Sequence, residues 1–157
     1  MYIGYLADHP NVIPILARWF HDEWRAFYGK RTAVDVAREF EVCGNRDRLP
    51  IVLVAFDGST PCGTAALKAA SILTHVHLGP WLSGLYVAPD QRRRGVASEL
   101  ISAVVQEAER QEFRTLYVAA RGGDRLFERL GWTVLESTTY HGEELTILRR
   151  IIEASAA

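Results

Sequence analysis

Apolar residues recur along this chain at two spacings, and the switches between them mark out its elements. Val12, Ile15, Leu16, Trp19 and Phe20 fall on one face at helical spacing, with Pro14 in a first turn that tolerates it. A first helix is expected there, ending near Trp24 to Phe27. Thr32 followed by Asp35 has the form of a capping box and opens a second helix to about Val42, where Gly44 and Asn45 stop it. The strongest periodicity comes later: Ala97, Leu100, Ile101, Val104, Val105 and Ala108 form one stripe of a long helix.

Between the helices lie runs suited to strands. Tyr2 to Leu6 is a short one, and Ile51 to Phe56 is apolar throughout, as expected of a strand covered on both faces. Asp57-Gly58 turns that strand into a second one near Gly63 to Leu73. Trp81 to Val87 and Thr115 to Ala119 follow the same logic, Asp124 reads as a cap, and Gly131 ends a short helix over Leu126 to Leu130. Trp132 to Thr139 then pairs with Glu143 to Ile151 across Tyr140-His141-Gly142. The order βααββ followed by βαβαββ predicts an α/β fold, a mixed sheet of about seven strands with about four helices on both faces. With no internal repeat or linker, residues 1–157 read as a single domain.

Composition narrows the function classes. The formal net charge is −1, whereas a protein gripping nucleic acid or an anionic membrane surface draws on a positive excess, so neither partner is expected. Cys43 and Cys62 lack ligand-like spacing and fit free thiols in a reducing compartment, which argues against a structural metal. No apolar run approaches the ~20 residues that cross a bilayer, and Met1 to Pro10 lacks the pattern of an export signal. A cytoplasmic protein is the expectation.

Local positive charge is concentrated in Arg92-Arg93-Arg94-Gly95-Val96-Ala97-Ser98, between a strand and the start of the long helix. A helix N-terminus leaves backbone N–H groups unpaired and carries partial positive charge, so an anion such as pyrophosphate gains there. Gly95 and Ala97 permit close approach to the backbone, and the arginines add charge. Three arginines on a loop also make an ordinary solvated surface. The spacing matches neither the P-loop nor the dinucleotide-binding fingerprint.

Arg92-x-x-Gly95-x-Ala97, preceded by Leu-Tyr-Val-Ala-Pro and followed by an amphipathic helix, resembles the [Q/R]-x-x-G-x-[G/A] signature of the GCN5-related N-acetyltransferase (GNAT) superfamily. Leu126-Phe127-Glu128-Arg129-Leu130-Gly131-Trp132 is similar to its late helix-to-strand junction. The resemblance implies an acetyl-CoA-dependent N-acetyltransferase whose acceptor is a small-molecule or peptide amine. It implies that Leu85, Tyr86 and Val87 pair with the pantetheine arm in a gap beside their strand, and that the Val87 N–H stabilises the oxyanion. Residues Arg92 through Ser98 would hold the pyrophosphate and ribose phosphate.

Other assignments are less direct. The junction usually carries a tyrosine that protonates the departing thiolate, but this chain has Phe127; Tyr117 and Tyr140 are substitute candidates. Glu23 is the candidate base, and Trp24, Trp81 and Tyr117 are candidates to border the acceptor. His75 and His77, two apart, would share one strand face. The late strands of this superfamily can mediate a homodimer, for which Leu145 and Ile147 offer apolar surface. The alternative reading, motivated by Phe127, is an acyl-CoA-binding sensor with weak or no catalysis.

Overall fold

The two periods of apolar residues become a sheet whose faces are covered by different helices. In the computed structural model, which describes residues 1–152, the elements in chain order are Tyr2–Tyr5 (β1), Ile13–Glu23 (α1), Arg25–Tyr28 (α2), Ala33–Glu41 (α3), Ile51–Asp57 (β2) and Thr60–Lys68 (β3). Trp81–Val87 (β4), Val96–Arg110 (α4), Thr115–Ala120 (β5), Asp124–Arg129 (α5), Thr133–Tyr140 (β6) and Glu143–Ile151 (β7) follow. The strands form one seven-stranded sheet of order β1-β2-β3-β4-β5-β7-β6, antiparallel except for the β4–β5 pair. The expected domain limit at 157 lies outside the described residues.

Period-two alternation explains why β2 is apolar throughout. Ile51, Leu53 and Ala55 face α4, meeting Leu100, Ile101 and Val104, while Val52, Val54 and Phe56 face α1 and α3, meeting Leu16, Phe20, Val36 and Phe40. The long helix buries Leu100, Ile101, Val104 and Ala108 of the expected stripe and also Val96, while Ala97 and Val105 are half-buried. The Thr32 hydroxyl accepts from the Asp35 amide while the Asp35 carboxylate accepts from the Thr32 amide, which completes the capping box of α3. Hydrogen bonding to Thr32 holds the Asp35 carboxyl below its ordinary range.

Three local expectations are corrected. β3 ends at Lys68, and Leu73–His75 forms one 3-10 turn, so His75 and His77 do not share a strand. They lie in a loop pinned by buried Ile72, where the His75 ring stacks on His77 and contacts Glu136. Gly123, at φ +74°, takes the capping position expected of Asp124, which becomes the first helical residue. Ile147 is fully buried and so is not free apolar surface for a partner, while half-buried Leu145 packs beside it against Trp81 and Ile72.

The α4 stripe joins the halves of the sheet because it packs on both the β2–β3 side and the β5–β7 side. Leu100→Ala, at a side chain with no exposure, should cost about 2–5 kcal/mol of stability by opening a cavity there. Urea unfolding of the two proteins measures it, and a loss below about 1 kcal/mol would contradict this packing.

Candidate active site in a gap of the sheet

The site begins with an interruption. β4 and β5 run parallel but pair at two positions, Trp81 with Tyr117 and Leu82 with Val118, and beyond Leu82 they part. Within β4 the register against β3 slips, so that Gly84 and Leu85 together oppose Ala65. This is a β-bulge, which bends the strand and leaves an extra residue unpaired. Gly84 adopts φ +62°, and a Cβ there would stand 3.0 Å from the Phe20 ring, so α1 packs directly on the bulge.

The bulge decides which amides face the gap. Ala88 donates to the Cys62 carbonyl at 2.9 Å, so Val87 and Gly63, the next pair, form a non-hydrogen-bonded one. The Val87 amide is therefore turned from β3 toward the side that β5 has left. By the same alternation Leu85 faces the gap, whereas Tyr86 faces β3. The Tyr86 ring stacks on Trp19 at 5.2 Å, on the α1 side of the sheet. Burial raises its phenol pKa, with Glu23 adding to the rise and Arg92 opposing it.

At the end of β4 the cradle takes shape. Arg93 and Gly95 both have positive φ, at +65° and +78°, and Gly95 caps the 15-residue α4. A Cβ on Gly95 would meet nothing within 4 Å, so open space lies before the first amides of the helix. A cavity of about 550 Å³ occupies that space, lined by Leu85, Val87, Arg92, Arg93 and the start of α4, with Leu126 and Arg129 from α5 opposite. Arg92 Nε donates to the Val87 carbonyl at 3.0 Å, tying the cradle to the strand, and Arg94 bonds Gln91 at 3.4 Å instead of lining the cavity.

A second cavity, about 310 Å³, lies between Leu82–Leu85 and Val118–Gly122. It touches Phe127 from the α4–α5 face of the sheet and Glu23, Trp24 and Glu143 from the opposite face. The gap is thus a passage through the sheet. On the far face it opens into a cleft of about 930 Å³ lined by α1, α2, the β3 end and the β6–β7 hairpin. Leu85 borders both the passage and the cradle cavity.

The cleft is polar and internally paired. Arg121 lies 2.9 Å from the Glu143 carboxylate and 3.5 Å from that of Glu23, and Arg31 pairs with Glu39 while lying over the Phe27 and Tyr28 rings. Burial pushes the Tyr28 phenol up to about 12, with Glu39 adding to the rise and Arg31 opposing it.

Among the expected site residues, Leu85, Val87, Arg92, Arg93, Gly95, Val96, Ala97 and Ser98 line the cradle cavity, and Glu23 and Trp24 line both passage and cleft. Trp81 is corrected: it is fully buried, its indole donating to the Leu78 carbonyl at 2.9 Å. Tyr117 lies against it at 5.6 Å because the register pairs the two residues, and neither lines the cleft. Phe127 is buried against Trp132 and presents a hydrocarbon ring to the passage. Tyr140 lines the cleft, its hydroxyl accepting from the Leu73 amide at 3.3 Å. Missed by sequence reasoning were Arg121, Glu143 and Arg129. Arg129 lies inside the recognised junction motif, whereas Arg121 and Glu143 carry no local signal. Among the described residues no cluster of three or more metal-ligating side chains occurs, and no helix is long and apolar enough to cross a membrane.

Comparison with known proteins agrees with this geometry. The family model for the acetyltransferase (GNAT) family matches residues 15–132. No curated protein sequence matches the chain. An aminoglycoside 6'-N-acetyltransferase in complex with coenzyme A superposes with a TM-score of 0.77 at 15% identity, covering 100% of both chains. A ribosomal-protein-alanine N-acetyltransferase from Brucella melitensis gives 0.75 at 21% identity, over 97% of this chain and 100% of that one. A protein from Salmonella typhimurium with acetyl-CoA as its cofactor gives 0.74 at 17%, over 100% of this chain and 96% of that one. At such identities these structures share the fold.

Two measurements test the site. Gly84→Val puts a branched side chain at positive φ against Phe20, so it should cost about 1–2 kcal/mol or more in urea unfolding and weaken coenzyme A binding; unchanged values would show the bulge is unconstrained. The Tyr28 phenol titrates near 10.0 when unfolded and about 12 when folded, so its contribution is intact below pH 10 and lost as pH rises toward 12. The urea midpoint should fall across that window in wild type and less steeply in Tyr28→Phe.

Proposed function

The chain belongs to the acetyltransferase (GNAT) family, and from that premise we propose that it transfers an acetyl group from acetyl-CoA to a primary amine by direct attack in a ternary complex. The observation that carries this reading is the succession of cavities across the gap, cradle, passage and cleft, each sharing lining residues with the next. Pyrophosphate fits the cradle because the free amides of α4 and the side chains of Arg92 and Arg93 converge on open space before Gly95. The pantetheine arm then runs along β4 beside the outward-facing Val87 backbone.

The thioester belongs where donor and acceptor spaces meet. Motif matching alone points to the Val87 amide as the oxyanion donor, but Leu85 stands at the junction, and its amide is the nearer donor to the acceptor side. Val87 then binds the arm. Such a role asks nothing of either side chain.

Proton handling falls to the acceptor side. An amine of pKa ~10.4 is neutral in about one molecule in 2,500 at pH 7, so attack requires a proton acceptor. Glu23, bordering both passage and cleft, takes that proton directly or through water. The amine nitrogen bonds to the thioester carbon, the carbon–sulfur bond breaks, and coenzyme A leaves as thiolate. A thiol of pKa ~8.5 departs readily in that form, so Phe127 in place of an acid is compatible with turnover. The buried free thiols Cys43 and Cys62 suit a reducing, cytoplasmic setting.

The second reading, a sensor that binds acyl-CoA without turnover, rests on Phe127. Calorimetry with acetyl-CoA should show binding by wild type, at least tenfold weaker binding by Gly95→Glu, and little change in Gly95→Ala, which carries the same backbone strain without the carboxylate. Equal binding by all three would remove the cradle assignment. Release of free thiol on adding primary amines supports transfer, and binding without release with any amine favours the sensor.

A further inference from the structure

We infer that the acceptor carries a carboxylate in addition to its amine, and that Lys68 binds that carboxylate. The inference rests on the acyltransferase reading and identifies the acceptor's chemical class. Its starting point is the charge pattern of the cleft. Three carboxylates line it, Glu23, Glu39 and Glu143, and each already has an arginine within ion-pair distance, Arg31 for Glu39 and Arg121 for the other two. Lys68 also lines the cleft, half-buried at the end of β3, yet has no carboxylate or hydrogen-bond partner among the described residues.

The two kinds of acceptor meet different costs in such a cleft. A polycation would compete with Arg31 and Arg121 for carboxylates already held in ion pairs, Arg121 being shared between Glu23 and Glu143, and would also meet the like charge of Lys68. An anionic group instead meets a half-buried ammonium whose electrostatic neighbour is the Cys43 thiol and not a carboxylate, and the complex gains a charge-assisted hydrogen bond without breaking an ion pair. Specificity then comes from the unfavourable competitor as well as from the favourable partner.

Position adds a length. Lys68 lies opposite Trp81 in the β3–β4 register, and Leu85, which borders both cavities, lies with Gly84 opposite Ala65, three residues from Lys68 along β3. At about 3.3 Å per residue this is roughly 10 Å of strand, part of which the flexible lysine spans. The amine and carboxylate of the acceptor therefore stand several bonds apart, as in an ω-amino acid or a short peptide, and not on one carbon.

Calorimetric titration of 6-aminohexanoate, 6-aminohexanamide and spermidine into the protein with coenzyme A bound, in wild type and Lys68→Met, tests this without requiring turnover. The acid should bind wild type at least tenfold more tightly than its amide or spermidine, and the acid-to-amide ratio should fall to near one in Lys68→Met, with acetyl-CoA affinity retained. Equal affinity for acid and amide, tighter binding of spermidine, no binding of the acid, or a ratio that survives Lys68→Met overturns the inference. The reading it rests on fails separately, through absent acetyl-CoA binding or absence of thiol release with every amine.

Discussion

The β-bulge at Gly84 and Leu85 is the constraint on which the rest of the site depends. A parallel pair of strands normally continues until one strand ends, and here it stops after two residue pairs because β4 carries one residue more than β3 opposes. The conformation at Gly84 requires φ +62°, and the Phe20 ring leaves little room for a side chain there. Packing of α1 and a backbone conformation favoured by glycine therefore hold the gap open together. An open strand edge inside a domain exposes backbone donors that are costly to leave unpaired. In the proposed reaction these are the groups assigned to the cofactor arm and the developing oxyanion.

Two features of the sheet place the cradle and the cleft on opposite faces. α4 covers one face and brings its N-terminus to the end of β4, so the anion cradle and the gap share one strand. α1, α2 and the β6–β7 hairpin border the other face and leave the cleft between them. Arg121, at the end of β5's run, joins Glu23 on α1 to Glu143 on β7 across the cleft mouth. Partly exposed ion pairs contribute little stability, so their effect lies in the charge pattern of the cleft. Near-neutral net charge is consistent with a protein that concentrates its electrostatics at the cradle and the cleft.

Much of this was legible in the chain because its causes are local. Periodicity specified the helices and strands, since a face that packs must be apolar at the period of its own element, as β2 and α4 illustrate. The cradle was legible because it is built from consecutive residues, Arg92 to Ser98, whose backbone conformation and small side chains make the site. The errors were also local in origin. Ile72 and Leu73 extend an apolar run beyond Lys68, but only Ile72 turns inward, and the segment becomes a loop.

Tertiary structure decided what depends on residues far apart in sequence. Trp81 and Tyr117 carry the composition of a pocket wall, yet register sets half-buried Tyr117 against fully buried Trp81, because strand pairing and not side-chain type determines which neighbour a residue meets. Arg121, Glu143 and Lys68 gave no signal in sequence because each is a common surface residue until the fold brings β3, β5, β7 and the end of α1 around one cleft. The sequence by itself determined the elements, the fold class and the glycine- and arginine-bearing turn before α4, all governed by short-range periodicity and backbone geometry. The passage through the sheet and the charge pattern of the cleft arise from long-range register and packing, which no local pattern encodes.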